Sequence, residues 1–182
     1  MKRIGPLVLI ALAVSANAFA QASPEIDKPL LAAPANLRAG ATVIKWKPDH
    51  ATYDTLKKGT NKLVCYDRSG FPLQAAFSVE CTSLGNLDRV VQNLKAEALG
   101  DKAKSEAMLD EMEKAGTRAK PEFGSVWYHL NGADQASART HMTIAVPMAT
   151  SKTLGLPENG QQGGVWIMNA GTTTAHLMTP GE

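Results

Sequence analysis

Apolar and polar positions fall into distinct regimes along this 182-residue chain. Lys2 and Arg3 precede a mainly apolar run over residues 4–14 (IGPLVLIALAV). Small residues then recur in Ala-x-Ala spacing at Ala16-Asn17-Ala18, Ala18-Phe19-Ala20 and Ala20-Gln21-Ala22. A positive end, an apolar run and a small-residue site in that order are what a signal peptidase reads. The alternative is a membrane anchor, but the run is far shorter than the roughly 20 residues a bilayer span needs. Residues 1–22 are therefore expected to form a signal peptide, cleaved after Ala20 or Ala22. No Cys follows the site, so a lipid anchor on a new N-terminal cysteine is not available.

Residues 23–40 are rich in Pro and Ala and predict an irregular lead-in, with room for one short helix around Leu30. Residues 41–47 (ATVIKWK) are strand-like, and 53–58 suggest a second strand. Gly59-Thr60-Asn61 is a turn signal, followed by a strand over 62–67 (KLVCYD). This pattern suggests a hairpin with Cys65 on its return strand. From Asn86 to Leu99 the period changes. Leu87, Val90, Val91, Leu94 and Ala98 have helical spacing. Gly100 interrupts it, and Asp101 can cap a second helix running to about Ala115. That helix has a thin apolar stripe, Leu109 and Met112, on an otherwise charged surface. It predicts a solvated face, with a partner-binding helix as the alternative. Strand candidates return at 125–130, 140–147, 164–169 and 175–178, separated by Gly and Pro clusters. The expected fold class is α+β: a single domain over 41–182, mostly antiparallel sheet with a central helical segment.

Charge changes the picture when the signal is removed. The chain carries 19 Lys+Arg and 17 Asp+Glu. Without Lys2 and Arg3 the positives fall to 17, equal to the acids. No basic stripe remains to neutralise phosphates, so no nucleic-acid partner is expected. No later segment is long and apolar enough to span a membrane. The two cysteines, Cys65 and Cys81, have 15 residues between them. An even count in an exported chain favours a disulfide. A free thiol nucleophile and a metal pair are the alternatives, and the spacing is no zinc motif.

Candidate chemistry is sparse. Four histidines (His50, His129, His141, His176) are joined near the C-terminus by Met142, Met148, Met168 and Met178. His176 and Met178 are two apart and would share a strand face. If the last three strands are neighbours, His141, Met168, His176 and Met178 form a candidate metal set. Imidazole and thioether ligands suit copper(I). The competing reading is core packing, with Met142, Ile144 and Val146 alternating as a buried face. No G-x-S-x-G or H-E-x-x-H motif is present. A Ser137, His141, Asp134 set can be assembled only by composition. The Asn159–Gly164 stretch does not follow a strand and open a helix, so it is no phosphate cradle but a surface loop. Trp127, Tyr128, His129 and Trp166 form a candidate ligand groove. Because Trp127 and Tyr128 are adjacent, one of them should face away from the core.

Several segments together resemble an uncharacterised family of small exported bacterial proteins. They are Ala41-Thr42-Val43, Gly59-Thr60-Asn61 leading to Cys65, His141-Met142 running to Pro147, Gly155-Leu156-Pro157, residues 163–168, and the ending Gly171-Thr172, Ala175-His176-Leu177-Met178 and Pro180. The resemblance covers most of the mature chain and is strongest in its C-terminal third. It implies export and a paired Cys65 and Cys81, and no activity. The chain departs from the family in its charged helical middle, where the relatives are shorter and more aromatic.

Two function classes follow. The first is an exported protein of the periplasm or the extracellular space, a non-enzymatic binding or structural domain of the cell envelope. The second is a copper-type metal-binding or catalytic protein using His141 and His176.

Overall fold

The computed structural model describes residues 23–179. The expected signal peptide, residues 1–22, lies outside the described residues. The architecture is a single-domain α+β fold built on one eight-stranded sheet. Its strands are β1 (Thr42–Trp46), β2 (Tyr53–Lys57), β3 (Leu63–Asp67), β4 (Phe77–Ser83), β5 (Val126–Gly132), β6 (Arg139–Ala145), β7 (Trp166–Met168) and β8 (His176–Met178). They lie in the order β2-β1-β3-β4-β5-β6-β8-β7. Every neighbouring pair is antiparallel except β1 with β3.

That parallel pair corrects the expected hairpin. The turn at Gly59 does not join paired strands. It carries the chain from β2 on the sheet edge, past β1, to β3 on the far side. Thr60 and Asn61 both donate their backbone N–H to Gly40 O. A Cβ on Gly59 would lie 2.3 Å from that same oxygen. Only glycine permits so close a crossing of two backbones.

The lead-in is also more ordered than expected. Residues 23–40 hold α1 (Pro24–Leu30) and α2 (Ala35–Arg38). Proline suits the first turn of α1, where an N–H has no partner anyway. Glu25 and Asp27 favour the same end of the helix dipole. α1 lies across β3 and β4, and Ala32 and Ala33 close a core with Cys65, Phe77, Val79 and Cys81. Residues 23–40 thus belong to the domain. Their alanines pack where larger side chains would hold the helix off the sheet.

The opposite face is covered by α3 (Leu87–Glu97), joined by a short turn to α4 (Lys102–Lys114). Val90 and Leu94 bury the predicted apolar stripe against Ile44, Trp46, Val64 and Tyr66. Asp101 caps α4 as expected, accepting a hydrogen bond from Lys104 N. Asn86 ties the start of α3 to the sheet. Its amide donates to Thr82 Oγ1 at 2.8 Å and accepts from Glu122 N at 2.8 Å.

Covering both faces makes β4 a central strand with all seven residues buried. Phe77, Val79 and Cys81 face α1, whereas Ser78, Glu80 and Thr82 face α3. Cys65 and Cys81 are register partners on β3 and β4 and are joined by a disulfide. Closing a loop of that length contributes about 3 kcal/mol in the chain-entropy picture. The C-terminal strands β6, β8 and β7 are neighbours. They are held by a smaller core of Val146, Ala149, Ile167 and Ala175, near the single-turn helix α5 (Ser151–Leu154). Among the described residues no helix is long and apolar enough to cross a membrane.

Candidate functional site

The helical hairpin covers the sheet incompletely, leaving a cavity of about 490 Å³ between α3, α4 and strands β5, β6 and β8. Arg89, Asn93 and Glu97 recur every fourth residue, so α3 presents them on one face, and all three line the cavity. α4 adds Leu109 and Glu113, and the sheet adds Trp127, His129 and Thr143. Residues 172–174 and His176 complete the wall.

One end of the cavity rests on a buried ionic network. Glu80 on β4 is 3% exposed. Arg68 Nη1 donates to its Oε1 at 2.6 Å, and Tyr66 Oη donates to its Oε2 at 3.1 Å. His129 Nδ1 lies 3.1 Å from Oε1. The second guanidinium nitrogen of Arg68 donates to Glu97, which also accepts from Gln74 Nε2 at 2.9 Å. Burial pushes the Glu80 carboxyl up, but Arg68 and His129 outweigh it and hold the carboxyl at about 2. Glu97 moves the other way, raised by burial and the nearby Glu80 despite Arg68. Burial and Glu80 likewise push the Tyr66 hydroxyl well above its usual range.

The other end is basic. Arg89 is 5% exposed and Arg118 is 6% exposed. Arg89 donates to Ala119 O at 2.6 Å, Thr173 Oγ1 at 3.1 Å and Thr174 Oγ1 at 2.7 Å. Arg118 donates to Gln92 Oε1 at 2.9 Å and to Asn93 Oδ1. No carboxylate among the described residues lies within ion-pair distance of either arginine. Burial and the neighbouring Arg89 lower Arg118 to about 10. Glu113 accepts from Thr173 N at 2.7 Å and from its hydroxyl. Burial raises the Glu113 carboxyl, but these bonds and the two arginines bring it below its ordinary value.

The expected groove residues separate. Trp127 and His129 line the cavity. Tyr128 points to the opposite face and packs beside Leu130 in the α1-side core. Trp166 lies farther along the cavity-side face, where a Cβ on Gly160 would meet its ring at 3.3 Å. The surface loop around Gly160 forms one 3-10 turn, with Asn159 accepting from Gln161 N.

The His/Met set does share a face. His141 pairs across from His129, with ring centroids 6.0 Å apart. Met168 pairs across from His176, and Met178 lies two residues farther on the same strand. His176 Nδ1 is 2.8 Å from Thr174 O, which leaves Nε2 free to accept. Burial, His129 and His176 together lower the pKa of His141. Among the described residues no three of His, Cys, Asp and Glu gather as a metal site. Ser137 and Asp134 bond to each other at 2.8 Å in the β5–β6 turn.

Sequence reasoning missed Arg68, Glu80, Arg89, Glu97 and Arg118. The four-residue spacing of Arg89, Asn93 and Glu97 was a readable signal. The strand alternation Phe77, Val79, Cys81 was another, and it places Glu80 on the opposite face. The chain matches no family model, no curated protein and no solved structure.

Proposed function

We propose that the protein is an exported, disulfide-linked domain of the cell envelope that binds a small molecule in the cavity between the helical hairpin and the sheet. The observation that carries the reading is a concave site bearing two buried arginines with no paired carboxylate. A buried charge without a counter-charge is costly, and a ligand is a ready source of one. Concave sites with a few convergent polar groups are where small molecules bind. The sequence of residues 1–22, the formed disulfide and the family resemblance support export.

Amide chemical shifts of labelled protein, recorded against a library of small metabolites, test the binding reading. Shifts grouped on α3, β5 and residues 172–176 are expected. A library that perturbs no cavity amide overturns it. N-terminal sequencing of protein from envelope fractions should begin at Gln21 or Ser23. An intact Met1 in the cytoplasmic fraction would refute export.

The shared face of His141, Met168, His176 and Met178 supports a second reading, copper(I) binding at the β8–β7 edge. Competition with a chromogenic copper(I) chelator should show one bound ion, lost in His176→Ala. Equal copper binding by that variant and the unaltered protein sinks this alternative.

A further inference from the structure

Two charge clusters meet the same cavity, one through Glu97 and the other through Arg89 and Arg118, and neither balances. At one end a single guanidinium, Arg68, stands between two carboxylates, Glu80 and Glu97. With one guanidinium for two carboxylates, that end carries a surplus negative charge. At the other end two guanidiniums, Arg89 and Arg118, share one carboxylate. Glu113 reaches Arg89 only through the hydroxyl of Thr173. That end carries a surplus positive charge. Arg89 uses three donors on the protein and Arg118 two. A guanidinium has five, so both keep N–H groups to offer.

The two ends are separated along α3. Arg89 and Glu97 are eight residues apart, about 12 Å along the helix axis. Between them the wall includes Asn93, Leu109 and Trp127, and α4 adds the carboxylates of Glu106 and Asp110 to the lining. Resting on the reading of the cavity as a binding site, we infer that its ligand is a short zwitterion. The anionic end meets Arg89 and Arg118, the cationic end meets Glu97, and an apolar spacer lies along Leu109 and Trp127. A spacer about as long as two extended residues, about 7 Å, leaves room for a hydrogen-bonded contact at each end. An anion alone would leave the acidic surplus unmet, and a cation alone would leave the basic one.

Three six-carbon probes separate these possibilities: 6-aminohexanoate, hexanedioate and hexane-1,6-diamine. They are titrated calorimetrically into the full disulfide-bonded protein at pH 8 and equal ionic strength. 6-Aminohexanoate is expected to bind at least tenfold more tightly than either symmetric probe. Glu97→Gln keeps the shape and removes the acidic surplus, so hexanedioate should overtake the zwitterion. Arg118→Gln should reverse this, with hexane-1,6-diamine overtaking it. If one variant fails to melt cooperatively, the other tests the opposite end by itself. A symmetric probe that binds the unaltered protein as well as the zwitterion overturns the inference, as does failure of 6-aminohexanoate to bind. If library compounds still shift cavity amides in that case, only the dipolar ligand is lost. If none does, the binding reading falls with it.

Discussion

The two faces of the central sheet solve the same packing problem with different chemistry. Beneath α1 the face is apolar and closed, made of alanines, Phe77, Val79 and a disulfide. Beneath α3 the face is apolar only toward β1 and β3, where Val90 and Leu94 sit. From β4 onward it turns polar, with Glu80, His129 and Thr143, and the helices stand off to leave a cavity. Close packing needs complementary apolar surfaces. Where the strands present charge, only a hydrogen-bonded network or a ligand can complete the layer. The difference separates a face closed by apolar packing alone from one completed in part by a buried ionic network.

Breaking the ionic network should have the largest effect. Glu80→Ala leaves Arg68 and Tyr66 buried without their shared partner. It is expected to cost about 3–5 kcal/mol, read by urea unfolding. A loss below about 1 kcal/mol would show that water replaces the carboxylate. The same group sets an acid limit. The Glu80 carboxyl titrates near 2 when folded, against an ordinary value of 4.5. A depressed carboxyl contributes stability above its unfolded pKa, and that contribution is lost as pH falls through its folded pKa. Melting temperature should therefore drop between pH 4.5 and 2, and more shallowly in Glu80→Gln.

On the closed face, replacing Cys65 and Cys81 together by alanine should remove about 3 kcal/mol. Cavity amides should keep their shifts, because the disulfide lies on the other side of the sheet. Movement of those shifts would show that the two faces are coupled. Ile44→Val, under α3, should cost about 1 kcal/mol. The smallest stability effect is expected for Arg118→Gln, within about 1 kcal/mol by chemical denaturation. It gives up two hydrogen bonds to neutral groups but also relieves repulsion from Arg89. Comparison of Arg118 with Glu80 gives the sharpest contrast between a buried charge without an ion-pair partner and one that has two.

Much of the scaffold was readable where one period dominates. Leu87, Val90, Val91 and Leu94 spell a helix, and the strands at 42–46 and 63–67 are rich in β-formers. The sheet around the candidate site was harder to read. Strand β4 alternates Phe77, Val79 and Cys81 with Ser78, Glu80 and Thr82. Alternation predicts a polar row in water, yet that row is buried. The β1–β3 pairing was misjudged because a turn at Gly59 looks the same whether it closes a hairpin or crosses a strand. Trp127 and Tyr128 part to opposite faces as strand geometry requires, but only the structure shows that Trp127 is the one at the cavity.

By itself the sequence determined the α+β class, most of the elements but not the central strand β4, and the pairing expected of two lone cysteines. These follow from local periodicity and from counting. Only the tertiary structure decided that β3 runs parallel to β1, that residues 23–40 pack on the core, and that Arg89, Glu97 and Arg118 line one cavity beside the buried Arg68 and Glu80. Those outcomes depend on which surfaces cover one another. Burial of a charge is a property of its neighbours in space, and the spacing of residues along a chain does not contain it.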